Sequence, residues 1–414
     1  MSTASHEFVS RLDLEIDELS LISAHPSPAV TRVLFSDEDL RARAWLTELA
    51  EKAGFSTRTD AVGNLFIRWE GSDPTLPPVA TGSHTDAIPN AGKYDGVVGV
   101  LGGLEAMRML KEGGFEPQRS IELIMFTAEE PTRFGIGCLG SRMMAGTTSA
   151  WAARALRDPE GTGLEDLREF AGCVGELEGV RLENGVYSAF VELHIEQGPI
   201  LEAEGLDVGV VEKIAAPAAF RIRLTGQGGH AGAVLMPGRR DALLAAAEIA
   251  LVVETAALES GSLDTVGTTG VMIVKPGAIN SIPCDVLMEI DFRDTNIEAR
   301  GRALQRIRRE AEAICSLREI GFDWTFINED PPAICDSELV ELVLKVAKEK
   351  GFSTKRMISR AYHDSLFMAR LAPVTMIFIP CFKGYSHRPD EYSSPDAIRK
   401  GVEVLAGTLK TLAS

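Results

Sequence analysis

The chain predicts an α/β fold: helices on both faces of a central sheet, interrupted by an inserted ferredoxin-like (βαββαβ) domain. Three observations lead there. Short, continuously apolar strands alternate with helices over the first third of the sequence, as in sheets buried on both faces. The order then changes to β-α-β-β-α-β, a unit able to fold by itself. After the breaker "NEDPPAI" the alternating pattern resumes. At 414 residues the chain also exceeds what one ordinary core accommodates. The expected boundaries are 1–213 and 327–414 for the split domain and 214–326 for the insert.

Taken in order, "SDEDLRARAWLTELAEKAGF" opens as the first helix, with Ser36 as N-cap, Asp39 at the capping-box position and Gly54 at the exit. Strands "NLFIRW" and "PVATGS", a helix over 99–112 and strand "SIELIMFTAEE" follow. Residues 151–186 are polar and Gly-rich, an irregular excursion before strand "AFVELHI". The insert reads as strand "AFRIRLTG", a helix over 239–259, strands "TGVMIV" and "DVLMEIDFR", a charged helix over 296–320, and strand "FDWTFI". A helix over 337–350, strand "VTMIFIP" and a helix opened by Ser394-Pro395 complete the chain.

The net charge of −18 would repel a phosphate backbone, which argues against a nucleic-acid partner. The most apolar long stretch, 242–259, is interrupted by Glu248 and Glu254 and reads as a packed helix, so no membrane association is expected. "MSTASHEFVSRLDLEIDELS" has no basic region leading into an apolar one, so no signal peptide is read and a cytoplasmic location is expected. The six cysteines form no CxxC pair and read as small buried apolar residues of a reduced compartment.

Histidine is sparse, and its placement is informative. His6 and His25 have no chemistry-bearing neighbours, whereas His84, His194, His230, His363 and His387 stand in compact polar motifs. Most of these follow directly on a strand, where α/β folds build sites. His84, His194, the loop "GKYDG" with Asp95, the pair Glu129-Glu130 and the late "SH" offer imidazole and carboxylate without thiolate. That donor set suits an open catalytic metal site rather than a closed structural zinc. Two ions roughly 3.5–4 Å apart would need a bridging carboxylate, and Asp95 between glycines is the candidate.

Two rival readings are available. "GIGCLG" matches GxGxxG with Glu160 twenty residues on, which would suit an NAD-dependent dehydrogenase. Eight residues, including two acids and a proline, separate the preceding strand from the first glycine, whereas that fingerprint needs its glycines directly after the strand. An inactive binding protein on the same fold would lack some donors, and none is missing.

Taken together, "GSHTDAIPNAGKYDGVVGVLGGLEAM", "FTAEEPTRFG", "ELHIEQGPILE", "GGHAGAVLMPGRRDALLAAAE", "PGAINSIP", "DFRDT" and "YSHRPDEYSS" resemble the amidase/hydantoinase/carbamoylase branch of the dinuclear metallopeptidase-like (M20) hydrolases. The resemblance covers nearly the whole chain. "EEPTRFG", "HAGAVLMP", "SRAYHDSLFMAR" and "CFKGYSHRPDEYSSP" resemble in particular its ureidoglycolate-hydrolysing members. Members acting on allantoate or N-carbamoyl-L-amino acids more often carry a "GAGHD"-type segment where this chain has "RAYHD".

The resemblance implies hydrolysis of a ureido C–N bond, with (S)-ureidoglycolate as the first expected substrate and allantoate or an N-carbamoyl-L-amino acid as alternatives. It implies two divalent ions per subunit, Mn²⁺ first and Zn²⁺, Co²⁺ or Ni²⁺ after it. His84, Asp95 and His194 would hold one ion, and Asp95, Glu130 and His387 the other. Asp86 would orient His84, and Glu129 would be the general base. Arg293 would pair with a substrate carboxylate, the rival reading being an ion pair with Asp291 or Asp294. Asn280 and Gln197 would hydrogen-bond the substrate, Tyr362 and His363 would close its pocket, and His230 would polarise the carbonyl. By the same resemblance the insert serves as a dimerisation and lid domain, with His230 completing the neighbouring subunit's site in a homodimer.

Overall fold

The structure is a computed structural model that describes residues 10–414; His6 and the first nine residues of the amino-terminal stretch discussed above lie outside the described residues. The chain divides into two compact units. One comprises Met1–Glu212, Ile334–Met357 and His363–Ser414, and the other Lys213–Ala333 and Ile358–Tyr362.

The first unit is built on a mixed sheet. Seven of its nine strands run in the order Val208–Ile214, Val374–Ile379, Ala189–Ile195, Val79–Ser83, Ile121–Met125, Leu65–Trp69 and Ser56–Thr59, and the other two, Ala333–Ile334 and Thr354–Ser359, pair with Val208–Ile214. The middle four are parallel and the flanking pairs antiparallel. Every residue of Ala189–Ile195 is buried, so both faces of this strand are covered. Successive side chains point to opposite faces. Leu193 packs against Gly102 of helix Val97–Glu112 and Gly401 of helix Pro395–Ala413. Glu192, on the other face, accepts the hydroxyl of Ser365 in helix Ser365–Met368. Helices therefore cover both faces, as the apolar strands require.

Local signals explain most element ends. Ser394 caps Pro395–Ala413 by accepting the Ala397 N–H, and proline fills the first helical turn, where its missing N–H costs nothing. At Asp37–Lys52 Ser36 does cap, but the expected capping box is incomplete. The Asp39 carboxylate turns instead to the Phe35 N–H at 2.8 Å and to Arg43. This is also not the first helix. Arg11–Ser20 precedes it, with a full capping box between Ser10 and Asp13. The excursion over 151–186 contains two short helices, Ala150–Arg154 and Leu164–Phe170.

The second unit has a four-stranded antiparallel sheet in the order Val266–Lys275, Asp285–Asp294, Ala216–Thr225, Gly321–Glu329. With helices Ala242–Leu258 and Ile297–Arg318 the chain order is βαββαβ. Phe220, Ile222 and Leu224 share a core with Met288, Ile290 and Phe292, all at even positions. Odd positions carry the charges of the opposite face, such as Arg221 against Glu289. This unit runs on to Ala333, past the expected end at 326, and takes in Ile358–Tyr362. No helix among the described residues is long and apolar enough to cross a membrane.

Candidate metal centre

Strand ends of the first unit deliver the donors. His84 directly follows Val79–Ser83, and His194 is the penultimate residue of Ala189–Ile195. Glu129 and Glu130 lie in the turn after Ile121–Met125. Asp95 lies between them, just ahead of the helix that starts at Val97. Gly96, with φ 65°, is required here: a Cβ at that position would fall 2.4 Å from His84 Nε2.

Asp95 is the hub. Its Oδ1 is 3.2 Å from His194 Nε2 and 3.7 Å from His84 Nε2, and its Oδ2 is 3.3 Å from His387 Nε2. Glu130 Oε1 is 3.2 Å from His387 Nε2. Two groups of donor atoms result, His84–Asp95–His194 and Asp95–Glu130–His387, each with its atoms within 4.8 Å of one another. The ring nitrogens that turn away from Asp95 are occupied: Nδ1 of His84 by the Asp86 carbonyl at 3.0 Å, and Nδ1 of His194 by the Ile195 carbonyl at 2.9 Å. Each Nδ1 then carries a proton, so Nε2 is the nitrogen that can give a lone pair to an ion beside Asp95 once its own proton is released.

The electrostatics fit a cation. Asp95 and Glu130 together push His387 up to about 11. Burial alone would raise Asp95, but hydrogen bonds to His194, His387 and His84 hold it well below the usual carboxylate range. Glu129 is pushed well above its ordinary value, first by burial and then by Glu130, Asp364 and Asp95, despite His84. Positive charge is thus demanded at the point the two donor groups share. Two buried acceptors, Gln197 Oε1 and Asp364 Oδ2, also have no hydrogen-bond partner. Hard carboxylate oxygens with imidazole and no thiolate suit a divalent ion, and the residues fit one.

Glu129 stands apart from both donor groups. Its Oε2 is 3.7 Å from His84 Nε2, and Cys138 Sγ donates to its Oε1 at 3.7 Å. Adjacent residues at the strand end thus face different partners. The turn that follows leaves nothing for a dinucleotide. The N–H groups of Cys138, Leu139 and Gly140 donate back to the carbonyls of Glu129, Ala128 and Thr127, so a pyrophosphate would find those donors spent.

Several expected roles look different in place. The backbone carbonyl of Asp86 accepts from His84 Nδ1 at 3.0 Å, and the Asp86 carboxylate Oδ1 lies 3.6 Å from the same nitrogen. The carboxylate accepts the N–H of Glu130 at 3.0 Å and sits 3.4 Å from that of Glu129, thereby orienting the acid pair. Gln197 donates its amide to Asp95 Oδ2 at 2.8 Å. His363 is buried, its ring 4.5 Å from that of His194. Tyr362 falls in the other unit, where the Arg293 guanidinium lies 5.4 Å from its ring. Arg293 makes the ion pair named as its rival reading, with Nε and Nη2 on the two oxygens of Asp291 at 2.8 and 2.6 Å. His230 and Asn280 come together within the second unit, where the Ala231 N–H donates to the Asn280 carbonyl. The His230 side chain is exposed, and its Nδ1 accepts the Gly232 N–H at 3.1 Å, which leaves Nε2 as the donor of a neutral ring.

Sequence reading passed over the layer beneath the donors. Glu192, two residues before His194 and so on the same strand face, accepts the Ser83 and Ser365 hydroxyls at 2.8 and 2.5 Å. It also groups with His194 and His363. Period-two alternation in "ELHI" was the available signal. Asp364, held by Ser141 at 2.5 Å, and Glu391 within "YSHRPDEYSS" had no such local mark.

The family profile for Peptidase family M20/M25/M40 matches residues 80–411. A ureidoglycolate hydrolase of Oryza sativa subsp. japonica is 55% identical over 95% of this chain and 83% of its own length. A ureidoglycolate hydrolase of Arabidopsis thaliana is 53% identical over 97% of this chain and 86% of its own. The crystal structure of AtUAH in complex with glyoxylate is similar with a TM-score of 0.91 at 53% identity, over 97% of each chain. With the donor groups and the Glu129–Glu130 turn inside the matched region, the chain belongs to the M20/M25/M40 peptidase family, as a metal-dependent amidohydrolase.

Proposed function

We propose that the protein hydrolyses (S)-ureidoglycolate. What carries this reading is Asp95, shared between two histidine–carboxylate groups with Glu129 beside them, in a chain over half identical to two ureidoglycolate hydrolases. His84, Asp95 and His194 would hold one divalent ion and Asp95, Glu130 and His387 a second, Mn²⁺ being the first choice for so oxygen-rich a set. When bound, the ions would supply Lewis acidity toward water and the ureido carbonyl.

The chain's own residues do the rest. Glu129 takes a proton from the attacking water and returns it to the departing nitrogen. Its buried, acid-crowded position suits that exchange, because it favours the protonated form after the first transfer. Asp86 keeps Glu129 and Glu130 in their turn. Cleavage releases ammonia and carbon dioxide and leaves hydroxyglycine, which loses a second ammonia to become glyoxylate. Gln197, beside Asp95, orients the ureido group, and His363, beside His194, bounds its pocket. The reaction is assigned to the cytoplasm as a step of purine ureide breakdown.

An acidic protein needs a fixed local cation to hold an anionic substrate. Arg293 is that cation, and Asp291 holds its planar fork ready until a substrate carboxylate exchanges for it. Losing a charge-assisted bidentate pair costs roughly 2–5 kcal/mol. Arg293→Ala should therefore lower kcat/KM by about 30- to 5,000-fold, and Arg293→Lys, which keeps charge but not the fork, should also be clearly impaired. The deciding measurement is wild-type kcat/KM for ureidoglycolate, allantoate and an N-carbamoyl-L-amino acid side by side. Faster turnover of either alternative would overturn the substrate and leave the family intact.

The second unit, by this reading, joins two copies into a homodimer and lends His230 to the neighbouring site, where its Nε2–H polarises the carbonyl. Mixing inactive Glu129→Ala and inactive His230→Ala chains should then restore part of the activity, since each heterodimer assembles one intact site. No recovery after verified subunit exchange would sink the shared site.

A further inference from the structure

Glu391 lies four residues beyond His387, buried, with both carboxylate oxygens committed. Oε1 accepts two backbone N–H groups of the Asp95 loop, that of Tyr94 at 2.8 Å and that of Asp95 itself at 3.0 Å. Oε2 is 3.0 Å from the Ser386 hydroxyl, which also lies 2.5 Å from Asp95 Oδ2, so a single hydroxyl sits between the two carboxylates. The approach is close enough to dictate a neighbouring residue type. A Cβ at Gly92 would fall 2.3 Å from Glu391 Cβ, so only glycine lets the carboxylate in.

The segment so held needs holding. His387 has φ 59°, a backbone conformation that L residues rarely adopt, and its side chain is 47% exposed, unlike those of His84 and His194. Its ring meets Asp95 and Glu130 at 3.3 and 3.2 Å, so its place depends on where the backbone segment that carries it is held. Glu391 joins this segment to the Asp95 loop by accepting the N–H groups of Tyr94 and Asp95, bonds that touch neither substrate nor the donor atoms of His387.

We infer that Glu391 is a positioning residue that sets the separation of Asp95 from His387 and so completes the Asp95–Glu130–His387 group around its cation. This rests on the two-ion reading above. Asp95 serves both ions, so the larger effect is expected on the ion that also needs His387, because His84 and His194 are set at strand ends.

The test measures binding as well as turnover. Wild type, Glu391→Ala, Glu391→Gln and Ser386→Ala are stripped, checked for fold by circular dichroism, and titrated with Mn²⁺ against a chromophoric chelator. Wild type should take two ions. Glu391→Ala should keep the first and bind the second at least tenfold more weakly, with kcat falling more than KM. Glu391→Gln, still able to accept the two N–H groups, should recover much of that loss. Ser386→Ala should weaken the second ion about threefold, and it carries the test if Glu391→Ala fails to fold. Two ions at wild-type affinity in every folded variant would overturn the inference alone. Fewer than two ions in wild type would overturn the two-ion reading and this inference with it.

Discussion

Chelation should abolish turnover, and adding Mn²⁺ back should restore it. The reason lies in the charge balance at Asp95. Burial first, and neighbouring acids after it, push Glu129 well above its ordinary value, Asp364 to about 8 and Asp86 to about 6, so a cation among these carboxylates would be favoured. An ion that binds the folded chain alone also stabilises it, by about 2.7 kcal/mol at a hundred times its dissociation constant. The stripped protein should therefore melt at a lower temperature as well as lose activity, and both should return together on titration with Mn²⁺. Zn²⁺, Co²⁺ and Ni²⁺ should restore activity to different extents, since imidazole and carboxylate accept all of them. Less than one ion per chain in fully active protein would end the two-ion proposal, and full activity in metal-free protein would end the metal requirement.

Glu129→Gln should be the most damaging single substitution that leaves the metals in place. A general base contributes about 10²–10⁴ in rate, or roughly 3–5 kcal/mol of barrier. Glutamine keeps the size and one acceptor but cannot take the proton. Glu129 also contributes to neither donor group, so ion content should stay at the wild-type value. The contrast with Glu130→Gln separates the two acids. That substitution should lower ion affinity at the His387 side, where Glu130 Oε1 and His387 Nε2 face each other. If Glu129→Gln retains more than a tenth of wild-type kcat, Glu129 is not the base. If Glu130→Gln leaves metal content and affinity unchanged, the division of labour within the pair is wrong.

Much of the architecture was legible before any coordinates. Apolar runs such as "AFVELHI" and "VTMIFIP" mark strands because burial on both faces leaves no room for polar alternation, and both appear where expected. Serine and proline at the head of the last helix act within one turn of themselves. The kinds of donor at the strand ends were also within reach, while the grouping of His84, Asp95, Glu130, His194 and His387 came from the family resemblance and agrees with their placement. Helix Arg11–Ser20 was missed although its signal was local, the Ser10–Asp13 capping box.

Which oxygen meets which donor was settled only by tertiary packing. Asp86 turns its carboxylate to the Glu129–Glu130 backbone, and Gln197 gives its amide to Asp95. Glu391 reaches an N–H 296 residues away. Periodicity and capping describe neighbours within about a turn of helix or two strand positions. A hydrogen bond across hundreds of residues leaves no pattern in either segment. The sequence by itself determined the elements, their order and the kinds of donor at the strand ends. Only the folded chain decided which polar atoms pair, because each buried donor must find its acceptor among groups that packing, not sequence distance, brings within reach.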